Sequence, residues 1–232
     1  MLEIAGCKGA SVVEEGERVS ASSKILNATG SASSLLKVER TLLNLLSHMS
    51  GVATATSELV EVAKKHGAGK IRIACTRKTL PGLRYFEKRA VAVAGGDTHR
   101  LRLDDAVLIK DNHLAIGGTI ADCIKKTRAR VSFTKKIEVE IVDPDQAVEA
   151  AEAGADIILL DNMRTDQIEE AVSLLRKKNL RERIILEASG GIRKDNLVDY
   201  LRTDVDVVSL GAVTHSAKSI NMSMSIKPVK RR

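Results

Sequence analysis

Tryptophan is absent from this chain, and two tyrosines and two phenylalanines are its only aromatic side chains. That scarcity argues against single-strand nucleic-acid recognition, which stacks bases on aromatic platforms. Cysteine is also sparse: Cys7, Cys75 and Cys123 are odd in number, far apart and without a CxxC pair. They read as reduced thiols of a cytoplasmic protein rather than a disulfide framework. No apolar run approaches the roughly 18 to 20 residues needed to cross a bilayer, and no basic-then-apolar leader opens the chain. The expectation is therefore a cytoplasmic protein with no membrane partner.

Positive charge is in excess, at +7, which taken alone would suit nucleic acid or an anionic surface. Part of the excess is peripheral, because Lys227, Lys230, Arg231 and Arg232 close the chain and read as a solvated tail. Apolar residues make up 44% of the 232 positions. With so few aromatics, the core has to be built from Val, Ile, Leu and Ala, a composition suited to parallel α/β architecture.

Residues 1–32 are rich in Ser, Gly, Ala and Glu, and Val12 to Val19 reads as two short strands around a Glu-Gly turn. From an N-cap at Ser33 or Ser34 the pattern becomes helical, with leucines on one broad face until Gly51 interrupts. A second helix is expected from Val52 to about Lys65, stopped by His66-Gly67.

Strand and helix patterns then alternate. Apolar runs at 70–75, 106–109, 136–142, 156–160, 183–188 and 205–210 read as strands, with helices at 144–153, 166–177 and 194–201 between them. This order predicts an α/β fold with a parallel sheet or barrel. The expected organisation is an N-terminal piece over 1–33, a helical link over 34–66, the barrel over 67–215, and over 216–232 a returning strand with a basic tail.

Each strand pattern ends in polar or glycine residues: Thr76-Arg77-Lys78, Lys110, Glu140, Asp161, Ser189-Gly190-Gly191 and Gly211-Ala212. In a (β/α) barrel such strand ends gather at one face, where the active site is built. Arg77, Lys78, His99, Arg100 and Lys110 form a cationic group that points to an anionic ligand, since charge-assisted hydrogen bonds offset the cost of desolvating cations. The two glycine turns fit a phosphate held by backbone N–H groups. Glu140 and Asp161 stand one β–α repeat apart, so they meet at neighbouring strand ends. There they serve either a magnesium–pyrophosphate group or as salt-bridge partners of the cations. His99 lacks a second His or Cys at ligand spacing, which argues against a metal site built on it. His215 gains weight only from following Gly211.

The strings Val38–Asn44, Thr76–Arg84, Leu108–His113, Leu160–Asn162, Glu187–Ile192 and Gly211–Ser216 closely resemble, in order and spacing, the quinolinate phosphoribosyltransferase family. The resemblance covers about residues 10 to 226. It implies transfer of phosphoribose from phosphoribosyl pyrophosphate to quinolinate with decarboxylation, Mg2+ as cofactor, and a place in NAD biosynthesis. It also implies an incomplete (β/α) barrel preceded by a small α+β sandwich domain, here truncated, and a homodimer in which one subunit covers the other's site. Higher assembly is left open.

Carried over by position, Arg77, His99, Arg100 and Lys110 would hold quinolinate, with Arg40 entering from the partner subunit. Lys78 would face phosphoribosyl pyrophosphate, Glu140 and Asp161 the magnesium–pyrophosphate region, and Ser189, Gly190, Gly191, Gly211, Ala212 and His215 the 5-phosphate side. Lys78, Lys110, Glu140 and Asp161 are the residues expected to bear the catalysis.

Two positions depart from the family pattern. Cys75 stands where Asp often precedes Thr-Arg-Lys-Thr, and Thr98 where Asn often precedes His-Arg; neither is expected to change the reaction. The family also carries a helix and strands ahead of the Glu-Gly-Glu-Arg-Val turn, so the native chain is expected to start upstream of Met1. The competing readings are a related phosphoribosyltransferase that uses nicotinate, a basic RNA-binding protein and an inactive remnant. The interleaving of cations with Glu140 and Asp161 disfavours RNA, and the number of converging cations favours a dicarboxylate.

Overall fold

The structure, a computed structural model, describes residues 1–229. Lys230, Arg231 and Arg232 of the expected tail lie outside them.

Two short strands, β1 (Lys8–Ser11) and β2 (Leu26–Thr29), pair antiparallel as a small separate sheet. The stretch from Val12 to Val19, expected to form two strands, is instead the connection between them. Its charges are drawn outward: Glu15 pairs with Arg89 at 2.6 Å, and Arg18 pairs with Glu61. Exposed pairs of this kind contribute roughly 1 kcal/mol or less, so they orient the loop more than they stabilise the fold.

One helix, α1 (Ala32–Lys65), replaces the two that were expected. Its N-cap is Ser31, whose side chain accepts from the N–H of Ser34. It ends at Lys65, and Gly67 just past its His66 cap takes a left-handed backbone without strain while the Ala68 N–H reaches back to the Ala63 carbonyl. Gly51 does not break the helix. A Cβ there would sit 2.2 Å from the Lys218 carbonyl oxygen, so glycine is needed because the C-terminal segment crosses the helix at that point. The Ile220 N–H bonds the Ser47 carbonyl next to the crossing. Residues 217–229 have no regular secondary structure, so the expected strand is not formed.

The main sheet is parallel and six-stranded, in the order β3-β8-β7-β6-β5-β4. Its strands are β3 (Arg72–Cys75), β4 (Val107–Ile109), β5 (Ile137–Ile141), β6 (Ile157–Asp161), β7 (Ile185–Ser189) and β8 (Val207–Leu210). The covering helices are α2 (Arg84–Val93), α3 (Asp111–Gly117), α4 (Ile120–Arg128), α5 (Gln146–Glu152), α6 (Thr165–Lys177), α7 (Leu197–Leu201) and the four-residue α8 (Ala212–His215). At the β3 edge a single parallel bridge joins Ala74 to Asp97. From there the loop over 98–106 runs across to β4, tied by the Arg100 guanidinium donating to the Ala106 carbonyl at 3.0 Å. This arrangement is the expected barrel, left open between its first and second strands.

The period of two along each strand separates core from site. Ile137, Val139, Ile141, Ile158, Leu160, Leu186, Ala188, Val208 and Leu210 are all buried in one apolar core. The alternate positions are Glu138, Glu140, Asp161, Glu187, Ser189 and Ser209, and these polar residues lie on the opposite face.

Candidate active site

The cationic residues approach from the open side of the barrel. Arg77 follows β3, and its Nε is buried without a hydrogen-bond partner. Arg100 is partly buried, and its pKa is lowered, first by burial and further by the Arg77 charge, with Glu138 opposing. Two guanidiniums that disfavour one another this way create demand for an anion between them. Lys110 lies at the N-terminal end of α3, and its charge bears on Glu140.

His99 is placed differently from a free ligand. Its backbone is left-handed at φ +52°, and its N–H donates to the Asp97 carboxylate at 2.7 Å. Nε2 lies 3.2 Å from Glu187 and 3.5 Å from Glu138. Nδ1 accepts the Arg100 N–H at 2.9 Å. Burial opposes charging the ring, but the hydrogen bonds and charges of the two glutamates outweigh it and push the pKa up to about 10. The Arg100 N–H at Nδ1 works against a second proton on the ring, and the two buried carboxylates beside Nε2 outweigh it.

Glu138 and Glu187 are the principal residues that the sequence reading missed as partners of His99. Glu138 is fully buried, neither of its oxygens has a hydrogen bond of good geometry, and burial above all raises its pKa. Together with His99 they place three metal-type donor atoms within 4.8 Å of one another, so ligand spacing in the sequence understated what the fold assembles. The Arg100 charge acting on Glu138 opposes a further cation there. The available signal was parity: each glutamate lies on the same strand face as Glu140 or Ser189.

On the acidic side, Glu140 and Asp161 come together as expected. The Glu140 pKa is raised by burial and then by the Asp161 charge, with Lys110 opposing. Asp161 accepts from the Asn162 amide at 2.8 Å.

The glycine turns lie next to these carboxylates. Ser189 ends β7, and its hydroxyl accepts from Ser209 at 3.0 Å. Gly190 has φ +91°, and a Cβ there would lie 2.3 Å from Asn162 Oδ1 and 2.8 Å from the Asn162 nitrogen. Gly191 has φ +63° with open space around it. At Gly211 a Cβ would meet His215 Nε2 at 3.0 Å and Lys78 Cδ at 3.2 Å. Lys78, His215 and the turn into Ala212 therefore converge. Thr214, fully buried, donates to the Lys78 carbonyl at 2.7 Å and ties this turn to the one after β3.

Arg40 is not brought to these residues. It is exposed on the first part of α1 and makes no hydrogen bond or ion pair among the described residues. The three cysteines are free and buried. Among the described residues, no helix is long and apolar enough to cross a membrane.

Residues 52–225 match the family profile described as quinolinate phosphoribosyl transferase, C-terminal domain, and residues 1–50 match its N-terminal domain. The probable nicotinate-nucleotide pyrophosphorylase (carboxylating) of Methanothermobacter thermautotrophicus is 50% identical over 217 residues, covering 94% of this chain and 77% of that protein. The nicotinate-nucleotide pyrophosphorylase (carboxylating) of Rattus norvegicus is 37% identical over 221 residues, covering 95% and 73%. Among solved structures, NadC from Streptococcus pyogenes superposes with a TM-score of 0.85 at 41% identity, covering 95% of this chain and 75% of that one. The chain belongs to the quinolinate phosphoribosyltransferase family.

Proposed function

We propose that this chain is a carboxylating nicotinate-nucleotide pyrophosphorylase. It transfers phosphoribose from phosphoribosyl pyrophosphate to the ring nitrogen of quinolinate and releases pyrophosphate and carbon dioxide, leaving nicotinate mononucleotide. The observation that carries this reading is the division of one strand-end face. Arg77, Arg100 and Lys110 stand on one side, with Glu140, Asp161 and two glycine turns on the other.

The reaction needs no protein nucleophile. As the C1–O bond to pyrophosphate breaks, its electron pair leaves with the pyrophosphate, and the ring nitrogen lone pair bonds to the anomeric carbon. The protein's part is to align the two and to stabilise the charge that leaves. Lys78, lying across Gly211, suits the pyrophosphate side, and the N–H groups around Ser189, Gly190 and Gly191 suit the 5-phosphate. Decarboxylation then breaks the bond from C2 to its carboxylate. The electron pair stays at C2 beside the pyridinium nitrogen, and a proton takes the vacated place. Arg77, Arg100 and Lys110 grip the carboxylate that remains.

A magnesium ion fits the acidic pair. Glu140 and Asp161 face each other closely enough that one charge raises the other's pKa, and Mg2+ typically takes one or two carboxylates plus phosphate oxygens. When bound, it would neutralise the departing pyrophosphate. A second copy of the chain accounts for Arg40. Leu36, 59% exposed, lies one helical turn away on the same face of α1, so an α1 docked over the open side of a partner's barrel would carry Arg40 into its site. The reduced, buried cysteines support a cytoplasmic setting.

Comparing quinolinate with nicotinate as acceptor, with and without a chelator, tests the reading. Turnover of quinolinate alone, abolished by chelation and restored by Mg2+, is expected. A preference for nicotinate would replace the proposal with the sister activity.

A further inference from the structure

Lys88 stands outside the residues discussed so far, yet it contacts the two segments that lead to Arg77 and Arg100. It lies on α2 and is 3% exposed. Its ammonium donates to the Thr98 carbonyl and, at 3.4 Å, to Cys75 Sγ. Cys75 in turn lies 3.5 Å from the same carbonyl. Among the described residues Lys88 forms no ion pair, and burial foremost lowers its pKa while raising that of Cys75. A buried cation without a carboxylate is costly and needs a compensating use.

The two groups it joins frame the site. Cys75 is the last residue of β3, two positions before Arg77. Thr98 is the residue before His99, which sits in a left-handed conformation directly ahead of Arg100. Among the described residues, the one strand-like link between these segments is the bridge of Ala74 to Asp97, with the Cys75 N–H on the Asp97 carbonyl at 3.0 Å. Beyond that bridge the two segments lead on to Arg77 and Arg100, and Lys88 joins them there alongside the Cys75 thiol, which itself donates to the Thr98 carbonyl. Cys75 and Thr98 are also the two positions that depart from the family pattern. Lys88 meets Cys75 through its side chain and Thr98 through its backbone carbonyl, so only the residue at 75 bears on the contact.

We propose that Lys88 is a positioning residue for the acceptor subsite, holding the β3 end and the 98–100 turn at the separation that lets Arg77 and Arg100 grip one dicarboxylate. The inference rests on the proposed reading of the site as the quinolinate subsite. It also gives a role to the substitution at Cys75: a thiol accepts from the buried amine without adding a second buried charge.

The experiment compares wild type, Lys88→Met and Cys75→Asp in steady-state kinetics for both substrates, with circular dichroism and Tm on each. Lys88→Met keeps the stem and removes the donor. It is expected to raise KM for quinolinate tenfold or more while KM for phosphoribosyl pyrophosphate stays within twofold. Cys75→Asp supplies a carboxylate to the ammonium and is expected to raise Tm with KM for quinolinate unchanged. Unchanged kinetics in Lys88→Met, or equal rises in both KM values, would overturn the proposal. If Lys88→Met does not fold, Cys75→Asp decides, and a lowered Tm or a raised quinolinate KM in that variant counts against it. A wild-type protein without quinolinate turnover would sink the underlying reading and this inference with it, whereas an active wild type with an indifferent Lys88→Met would sink the inference alone.

Discussion

Gly190 and Gly191 are neighbours in one turn, both with positive φ, and they predict very different responses to alanine. At Gly191 an added methyl meets nothing within 4 Å. The cost is therefore the left-handed backbone alone, about 1 kcal/mol, which for a chain of this size lowers Tm by about 2–4 °C. At Gly190 the methyl would lie 2.3 Å from Asn162 Oδ1 and 2.8 Å from the Asn162 backbone nitrogen. The amide oxygen can swing away. The backbone nitrogen cannot, because its N–H is bonded to the Ser189 carbonyl at 2.8 Å. Relieving the clash breaks that bond, worth about 1 kcal/mol, and adds strain in the loop, for a total near 3 kcal/mol and a Tm loss of about 6–12 °C. If the Gly190 region donates to the 5-phosphate, losing one charge-assisted hydrogen bond of about 1.5–3 kcal/mol raises KM for phosphoribosyl pyrophosphate about 10- to 100-fold. KM for quinolinate should move little. Differential scanning fluorimetry and two-substrate kinetics on Gly190→Ala and Gly191→Ala provide the test. Equal Tm losses and equal phosphoribosyl pyrophosphate KM values in the two variants would refute the reasoning.

Three further outcomes follow from single contacts. Thr214→Val removes the hydroxyl that ties the Lys78 carbonyl to the Gly211 turn and should weaken phosphoribosyl pyrophosphate use about tenfold, one lost hydrogen bond. Thr214→Ser should restore it, and kinetics on the pair checks this. Gly51→Ala should destabilise, although helix propensity alone favours alanine by about 1 kcal/mol, because the methyl would meet the Lys218 carbonyl at 2.2 Å; a raised Tm would contradict the crossing. The His99 pKa is raised from 6.5 to about 10 in the folded chain. Its contribution to stability is therefore fully present below about pH 6.5 and lost as pH rises through about 10. A Tm series from neutral to alkaline pH should fall more steeply for wild type than for His99→Asn.

The alternation of apolar strand and amphipathic helix was legible because parallel strands are buried against helices on every second residue, as Ile137, Val139 and Ile141 show. The strand-end residues were legible for the same reason, since Asp161, Ser189 and Gly211 stand where each apolar run stops, while Glu140 lies one residue inside the end of β5. Three features were not legible. Gly51 reads as a helix breaker in isolation and is tolerated inside a 34-residue helix only because another segment of chain needs the space. The loop over 12–19 has the alternation of strands, but its residues turn outward to Arg89 and Glu61 instead of pairing with each other. Glu138, Glu187 and Lys88 carry charge inside the fold, and only tertiary contact shows that His99 and the Cys75–Thr98 junction are their partners. Cys75 and Thr98 could be marked in the sequence as unusual, but their common contact with Lys88 could not.

The central claim is that two acid groups on one ring are held by Arg77, Arg100 and Lys110, and that one of them is lost. Feeding the purified protein quinolinate labelled at the C2 carboxylate, with phosphoribosyl pyrophosphate and Mg2+, measures this directly. The account predicts labelled carbon dioxide and nicotinate mononucleotide in equal amounts, with none of either when phosphoribosyl pyrophosphate is withheld. A nucleotide product that retains the label, or consumption of phosphoribosyl pyrophosphate without carbon dioxide, would contradict it.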